Sequence, residues 1–552
     1  MKRACSLNTN TDENSTASSI RPLKTNYLRM KKTSRRNFLK AAAMVAVYAG
    51  VTASPVSARE DMAAAGTAGD KKANGKFNVL FLMTDEQHYR SLSLTGNPYI
   101  TTPNMDRIGR EGVLFSNATC VTPFCSPSRA SLITGVYPYR HGILSNVDKG
   151  GKQAALKQND FPNTETILYR HGYATAHFGK WHLGNSGDFD CYESVAYLSK
   201  ESSQEHKRLL DKQLPIARFA NDPGPGKYLD RPVEMIPAIA KAYRVFGNVP
   251  PIAVIGRTVV PPALLPETRI TDDAIRQIGQ HAHEQFMITV SWQPPHNLWV
   301  IPEPYYSMVD RKKIKLPGSH DLPAWEAHTA SKRLGDLAGD EGLREFAAVY
   351  YGQVKYIDDQ VGRILRKLDE LGLTEKTLVI FTTDHGDMVG AHGCIGKSII
   401  GIYDDLLRIP FEMRLPGVIK PGTVVRQPVS QIDVMPTILD YVGQPVPEQL
   451  QGQSLRPLIE GRDVPWRDYA FCQRDNFSRM VRTDHYKYTF GLKPKLISLF
   501  DLKADPEENQ NLADLPRNAD LVRQMHRRLL DVMKAGGDPL LKQFPTDPLK
   551  TP

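Results

Sequence analysis

The apolar positions along this 552-residue chain form short uninterrupted runs and, between them, longer stretches with helical spacing. The runs at 77–83, 286–292 and 377–383 are apolar at most positions, which is typical of strands buried on both faces of a parallel sheet. Apolar residues recur every three or four positions between Phe346 and Leu368, which predicts a long amphipathic helix. Strands that alternate with helices predict an α/β fold with a large, mostly parallel central sheet flanked by helices.

This pattern is lost in two parts of the chain. Residues 186–270 are rich in proline and glycine and show little periodicity, so we expect an insertion of long loops there. After residue 465, short apolar segments precede a helical pattern near Asp520–Lys534. We therefore expect a main domain over 77–465 and a small C-terminal α+β subdomain over 466–552.

The net charge of +10 at first suggests an acidic partner such as nucleic acid. The first 58 residues carry +8 of this charge, however, and the remaining residues carry only +2. Because the excess of lysine and arginine is concentrated in the N-terminal segment, we expect no nucleic-acid partner for the rest of the chain.

The N-terminal segment 1–58 resembles a twin-arginine export signal of bacteria. Thr33–Lys40 contains the paired arginines, a weakly hydrophobic run follows over 41–53, and small residues at 56–58 suit a cleavage site. The run is shorter than the ~20 residues that span a bilayer. We expect export through the twin-arginine machinery, a linker over 59–76 and a periplasmic or secreted mature protein without an integral membrane segment. Met30 is an alternative start of translation.

Polar residues follow the predicted strands at their carboxyl ends, where open α/β sheets bind ligands. These residues are Asp85 with Glu86, Asp384 with His385, and His296. Carboxylates with an imidazole suit Ca²⁺, Mg²⁺ or Mn²⁺. Capping or surface roles explain such acids equally well, so a metal site depends on what the rest of the chain contains.

One motif carries a specific chemical signal. Cys125–Arg129 reads Cys-x-Pro-x-Arg, and Leu-x-Thr-Gly follows at 132–135. The chain here resembles the sulfatase family of the alkaline-phosphatase-like superfamily, in which this cysteine is oxidised to formylglycine. The resemblance continues, in the order of the family, through Tyr137–Gly142, Gly179–Gly184, Pro295–His296, Gly396–Ser398, Ser430–Thr437 and Leu499–Glu507.

This resemblance implies an alkaline-phosphatase-like fold and a sulfuric ester hydrolase that acts on sulfated carbohydrates or aryl sulfates. It also implies a formylglycine-generating or maturase enzyme as a partner. One divalent cation is expected, Ca²⁺ before Mg²⁺ or Mn²⁺. The implied metal ligands are Asp85, Glu86, Cys125, Asp384 and His385.

A sulfate ester is negatively charged and repels a nucleophile, so its site needs fixed positive charge around the sulfuryl oxygens. Lys180 and Lys397, with the cation, are expected to supply it. The resemblance implies that Cys125, as hydrated formylglycine, attacks sulfur through one hydroxyl, and that Arg129 orients the diol.

Proton transfers are assigned on the same resemblance. His296 or Lys397 is expected to protonate the leaving alcohol. The second hydroxyl then expels sulfate, and His182 is expected to take its proton, since histidine titrates near neutral pH.

Two departures from the family pattern bear on the substrate. Many sulfatases have Asp-Asp where this chain has Asp85-Glu86, and Asp-Asn where it has Asp384-His385. The longer Glu86 side chain leaves its role as a ligand open, and the softer His385 admits Mg²⁺ or Mn²⁺. Asp-His also occurs in related phosphonate and phosphate ester hydrolases, so mono- or diester hydrolysis of that kind is the alternative activity. An inactive glycan-binding protein is disfavoured because every expected reactive position is filled.

Four further residues have open roles. Arg140 and His141 are expected to be structural. Trp299 either stacks on a substrate ring or belongs to the core, and His392 either reaches the site or packs in the interior.

Overall fold

The computed structural model describes residues 77–147, 155–157, 160–185, 191, 194–196, 204, 233–235, 254–316, 329–397, 402–493 and 495–550. All of them belong to one compact unit, Ala68–Pro552. The predicted leader, the predicted linker and most of the predicted 186–270 insertion lie outside the described residues. The end of that insertion, from residue 254, is regular: it contains a strand and the first turns of a helix.

The strands have these bounds: β1 Asn78–Asp85, β2 Val113–Phe115, β3 Ala118–Thr119, β4 Ala174–Gly179, β5 Ser194–Ala196, β6 Val233–Met235, β7 Ile255–Thr258, β8 Phe286–Pro295, β9 Trp299–Ile301, β10 Thr377–Thr383, β11 Phe411–Arg414, β12 Thr423–Val425, β13 Val429–Ser430, β14 Ala470–Arg474, β15 Ser478–Arg482, β16 Tyr486–Leu492 and β17 Lys495–Asp501. Eight of them form the central sheet in the order β12-β2-β11-β10-β1-β8-β4-β5. Every pair in this sheet is parallel except the two that involve β11. The three apolar runs are β1, β8 and β10, which lie side by side and are buried, so the predicted fold class is confirmed.

The helices have these bounds: α1 Pro103–Arg110, α2 Cys125–Thr134, α3 Pro138–His141, α4 Thr164–Arg170, α5 Pro266–Gln280, α6 Ala330–Glu370, α7 Asp404–Leu407, α8 Val434–Val442, α9 Arg456–Ile459 and α10 Ala519–Gly536. The predicted long helix is α6, which is interrupted at Gly339, where φ is 65°. Its buried side chains, such as Phe346 and Ile357, pack in one core with β8 residues such as Ile288. No described helix is long and apolar enough to cross a membrane.

The C-terminal part contains a second sheet. Strands β14 to β17 form an antiparallel sheet in sequence order, and α10 packs against β15 and β16. Val522 and Leu529 of α10 share a core with Val481 and Tyr488 of the sheet. This is the α+β arrangement expected near the C-terminus; the boundary at 466 stays a prediction.

The order of the central strands positions the site. Because β1 lies between β8 and β10, the carboxyl ends of all three meet at one edge of the sheet. Asp85 ends β1, Asp384 follows β10, and His296 follows β8. The sequence positions expected to meet at this edge are therefore neighbours in the fold.

Candidate active site

Helix α2 begins at Cys125, which is completely buried at this edge. Its Sγ atom lies 3.6 Å from Asp85 Oδ1, 3.4 Å from His385 Nε2 and 3.6 Å from Lys397 Nζ. The N-terminus of a helix also presents partial positive charge. Burial opposes ionisation of the thiol, but Lys180 and Lys397 lower the pKa of Cys125 well below its usual value. The position therefore favours an anionic or strongly polarised group.

Arg129 lies one helical turn after Cys125, on the same face of α2. Its Nε donates to Asp384 Oδ2 at 2.8 Å and its Nη2 to Asp85 Oδ2 at 3.1 Å. Its Nη1 donates to the carbonyl of Lys180 at 2.8 Å. One buried guanidinium thus fixes both strand-end carboxylates and the loop after β4.

Two lysines face the same centre. Lys180 forms an ion pair with Asp85, and Lys397 Nζ lies 2.6 Å from Glu86 Oε1. Burial lowers the pKa of Lys397, but Cys125 and Glu86 raise it more, so it stays well above its usual value. The pKa of Lys180 is raised in the same way against burial, by Asp85 and then Cys125. Both ammonium groups therefore remain charged at neutral pH.

Glu86 and His296 form a second contact beside this centre. Glu86 has a left-handed backbone (φ 62°), and its carbonyl accepts a 2.6 Å hydrogen bond from the Tyr350 hydroxyl. Its carboxylate lies 3.9 Å from His296 Nε2. His296 Nδ1 lies 2.6 Å from the carbonyl of Asn297, so it donates there and leaves Nε2 toward the site. Burial lowers the pKa of His296, and Glu86 raises it above its usual value.

His182 lies against Cys125 from the loop after β4. Its backbone is left-handed (φ 61°), and its carbonyl accepts a 2.6 Å hydrogen bond from Ser126 Oγ. Its side chain is one of the groups that lower the pKa of the Cys125 thiol. Its Nδ1 is buried and has no hydrogen-bond partner among the described residues. The ring is thus held next to the residue whose proton it is expected to take.

Four side chains, which we call the Cys125 cluster, converge on one point: Asp85, Cys125, Asp384 and His385. Their ligand atoms all lie within 4.8 Å of one another, and all four are buried. Burial and then Asp85 raise the pKa of Asp384. Two buried carboxylates that face each other with a thiol and an imidazole fit a divalent cation, which would relieve their repulsion. Glu86 is grouped instead with Asp85 and His296.

Two further buried residues near the site, Asp387 and Gln431, were not among the predicted site residues. Asp387 is completely buried, and its Oδ2 has no hydrogen-bond partner among the described residues. Burial and then Glu86 raise its pKa well above the usual value. Gln431 accepts a 2.8 Å hydrogen bond from Ser128 Oγ and donates one of 2.6 Å to the carbonyl of Asp384, which fastens α2 to the end of β10. Asp387 stands three positions after Asp384 and was visible in the sequence as a third acid after the strand.

Trp299 belongs to the core and supports the loop that carries Lys397. It is 3% exposed and meets Phe346 edge-on at 4.7 Å between ring centroids. Gly396 has a φ of 75°, and a Cβ there would lie 2.8 Å from the indole ring. Glycine at this position therefore lets the chain pass the indole and present Lys397.

Of the other open positions, the two histidines are buried and pack in the interior. His141 is buried, with Nε2 3.0 Å from Ser131 Oγ, and its Nδ1 accepts from the amide of Ile143 at 3.1 Å. His392 is buried, and its ring centroid lies 4.5 Å from that of Tyr403. Arg140 is exposed. The contacts of His141 and His392 are those of structural residues.

Comparison with known proteins identifies the relatives of this chain. The sequence profile of the sulfatase family matches residues 77–444, and a profile described as N-sulphoglucosamine sulphohydrolase, C-terminal, matches 390–535. An ulvan-active sulfatase of Formosa agariphila is 27% identical over 84% of this chain and 82% of its own. An N-acetylglucosamine-6-O-sulfatase of Bacteroides thetaiotaomicron is 26% identical over 84% and 87%. The structure of a phosphonate monoester hydrolase of Silicibacter pomeroyi shares the fold, with a TM-score of 0.68, 24% identity and coverage of 84% and 96%.

Proposed function

Because the chain belongs to the sulfatase family and is a sulfuric ester hydrolase, we propose that it removes sulfate from sulfated carbohydrates through a formylglycine at Cys125. The observation that carries this proposal is the contact of one buried cysteine with fixed cations, since Lys397 touches its Sγ and Lys180 lowers its pKa. The names of the ulvan-active and N-acetylglucosamine-6-O sulfatases support a carbohydrate substrate.

In this proposal the residue at Cys125, as the hydrated diol of formylglycine, supplies the hydroxyl that attacks sulfur. Lys180 and Lys397 hold the sulfuryl oxygens, because both ammonium groups stay charged and reach the same point. Preorganised charges of this kind act without reorganisation cost during the reaction. Arg129 keeps the Asp85 and Asp384 carboxylates in place around the nucleophile.

Two histidines move protons. His296 is the donor to the leaving alcohol, because Glu86 raises its pKa, which favours the protonated imidazole, and Nε2 faces the site. His182 receives the proton of the second hydroxyl, because its ring lies against Cys125. Lys397 is less suited as the acid, since its raised pKa holds the proton firmly.

Asp85, Asp384 and His385, with the residue at Cys125, would hold the cation. When bound, a divalent cation lowers the pKa of a coordinated hydroxyl and polarises a sulfuryl oxygen. Ca²⁺ is proposed first because the carboxylates of Asp85 and Asp384 and the hydroxyl at position 125 would all be oxygen donors, and the His385 imidazole also admits Mg²⁺ or Mn²⁺. Glu86 stays with Lys397 and His296 in this assignment.

The alternative is phosphonate or phosphate ester hydrolysis, which the Asp384-His385 pair favours. The test compares matched sulfate, phosphate and phosphonate esters, both aryl and sugar, with the matured full chain after chelation and return of each cation. Sulfate esters should be turned over faster, with Ca²⁺ restoring the activity best. Faster turnover of the phosphonate would establish the alternative, and tight sugar binding without turnover, despite formylglycine seen by peptide mass spectrometry, would establish a binding protein.

We also propose export through the twin-arginine route to the periplasm or the medium. Support comes from the paired arginines Arg35 and Arg36 before a short apolar run. Replacement of both by lysine should retain the precursor inside the cell, whereas wild-type protein should begin near residue 59 on N-terminal sequencing. Export of the lysine variant would argue against this route.

A further inference from the structure

A cavity of about 580 Å³ lies next to the loops that hold the nucleophile. One wall is the loop 142–145, and the other is formed by the turn 475–477 and by Lys493. Its volume is within the range of small-molecule sites in proteins. None of the catalytic roles proposed above uses it.

The first wall is fastened to the residue after Cys125. The amide of Ser126 donates to Asn146 Oδ1 at 3.1 Å, and the amide of Val147 donates to Ser126 Oγ at 3.0 Å. The loop 142–145 leads directly into these two residues. Its position is thus tied to the start of α2.

The second wall is fastened to the residue before Cys125. The guanidinium of Arg474 lies 5.5 Å from the centroid of the Phe124 ring and 5.0 Å from that of Phe477. Each wall of the cavity is therefore connected to a residue that flanks Cys125, the first through Asn146 and Val147 and the second through Arg474.

The turn of the second wall is fixed before any ligand arrives. The carbonyl of Asp475 accepts hydrogen bonds from Gln473 Nε2 at 3.3 Å and Arg479 Nη1 at 3.1 Å. The amide of Leu492 donates to the carbonyl of Phe477 at 2.8 Å. A preorganised turn loses little entropy when a ligand binds.

The side chains of this wall match a sugar that carries a negative charge. Phe477 offers an aromatic face, and Asn476 offers an exposed amide. Asp475 Oδ1 is buried, and within the described ranges no hydrogen bond reaches it. Lys493 is exposed, and the described residues provide no ion pair for its ammonium. Amide and carboxylate groups bind hydroxyls, and an ammonium binds an anion.

We propose that this cavity binds the sugar next to the one that carries the scissile sulfate, and that Lys493 pairs with an anionic substituent on that neighbouring sugar. The proposal rests on the proposed function and makes it specific for acidic oligosaccharides. A carboxylate and a second sulfate offer Lys493 the same chemistry.

Three disaccharides test it, identical in the sulfated sugar and differing in the neighbour: a uronic acid, a sulfated glucose, or glucose. With the matured full chain, Lys493→Ala should reduce the preference for an anionic neighbour over glucose about tenfold, the loss of one charge-assisted hydrogen bond. The effect should lie in KM rather than kcat, and Lys493→Arg should restore it. The uronic acid and sulfated glucose arms show which anion is preferred. Lys495→Ala removes the same charge two residues away, outside the cavity lining, and is the matched control.

Calorimetry of disaccharide binding to the full chain carrying Cys125→Ala separates this proposal from the proposed function. A weaker affinity for the anionic disaccharides on adding Lys493→Ala supports the subsite even if the matured enzyme hydrolyses no sulfate. Equal losses for all three disaccharides, or no loss for any, would overturn it whatever the activity.

Discussion

Two groups of buried charges in this chain are built differently. In the Cys125 cluster two carboxylates face each other beside a thiol and an imidazole, whereas the Asp404 cluster, formed by Asp404, Arg482, Lys487 and Glu508, consists of ion pairs between opposite charges. Arg482 donates to Asp404 at 2.8, 3.0 and 3.1 Å, and Lys487 forms ion pairs with Asp404 and Glu508. Burial opposes ionisation of Asp404, but Arg482 and Lys487 hold its pKa far below its usual value.

The difference separates a structural role from a chemical one. In the Asp404 cluster each carboxylate forms an ion pair with a cation, and these pairs connect α7 to β15 and β16, although burial still raises the pKa of Glu508 to about 7. In the Cys125 cluster, burial and Asp85 raise the pKa of Asp384 although Arg129 contacts both carboxylates. The ion pairs of the Asp404 cluster connect different elements of the fold, whereas the donor atoms of the Cys125 cluster converge on one point that a cation would occupy.

The largest effect should follow from removing the nucleophile. Cys125→Ala is expected to reduce kcat/KM for an aryl sulfate by on the order of 10⁴-fold or more, because the attacking group is lost. Its melting temperature should stay near that of the wild type. Cys472→Ala, at another completely buried cysteine, is the control and should keep its activity while losing stability. Substantial turnover by the Cys125 variant would contradict the proposed mechanism.

Breaking the Asp404 cluster should affect stability and spare the chemistry. Lys487→Met removes the ammonium group that pairs with Asp404 and Glu508. It is expected to reduce the free energy of unfolding by about 3–5 kcal/mol. Denaturant unfolding measures this, with kcat/KM of the folded enzyme unchanged. The exposed Lys495→Ala should change stability little. A loss of less than about 1 kcal/mol for Lys487→Met would remove the contrast between the two clusters.

Replacing a lysine of the candidate active site should instead reduce activity and affect stability little. Lys397→Met is expected to reduce kcat by about 10²–10³-fold, since it removes a preorganised charge at the sulfuryl oxygens. Lys397→Arg should recover part of kcat. Steady-state kinetics with an aryl sulfate measures both variants. A rise in KM with kcat intact would mean that Lys397 only binds the substrate.

Two buried histidines, His385 and His141, have pKa values shifted in opposite directions, and this difference predicts the smallest effect. Burial lowers the pKa of His385 by itself, yet Asp384 and Cys125 raise it to about 9, whereas burial alone dominates at His141 and lowers its pKa to about 4. Below pH 6.5 the unfolded chain takes up a proton at His141 that the folded chain refuses, so stability is lost as pH falls from 6.5 toward 4.

His141→Asn should therefore reduce the loss of stability that occurs as the pH falls. Between pH 6.5 and 4.5 the loss of unfolding free energy should be smaller than in the wild type by about 2 kcal/mol. Denaturant titrations at a series of pH values measure it, and the exposed His171→Asn is the control. An equally steep decline in the His141 variant would show that other groups cause the acid sensitivity.

The sequence predicts those parts of the structure that depend on local pattern. A strand buried on both faces must be apolar at most positions, so β1, β8 and β10 are visible as runs, and Asp85 and Asp384 follow from their ends. The Cys-x-Pro-x-Arg motif likewise places Cys125 and Arg129 one turn apart. These predictions need only neighbours along the chain.

The rest depends on contacts between distant positions. Glu86 and Lys397 are more than 300 residues apart, and their ion pair leaves Glu86 outside the group with Asp384, which no spacing in the sequence indicates. The same holds for the cavity wall at 475–477, whose position follows from the packing of Arg474 on Phe124. Residue type gives the chemistry of such groups, and only the fold gives their partners.

The complete burial of Cys125 has a consequence for the history of each molecule. The folded protein encloses the thiol, so the oxidation proposed for Cys125 requires a chain that has not yet folded. Under this proposal oxidation and folding compete during synthesis, and a molecule that folds first keeps its thiol. The fraction of active enzyme would then depend on the relative rates of the two processes, so slower translation or more maturase should increase specific activity.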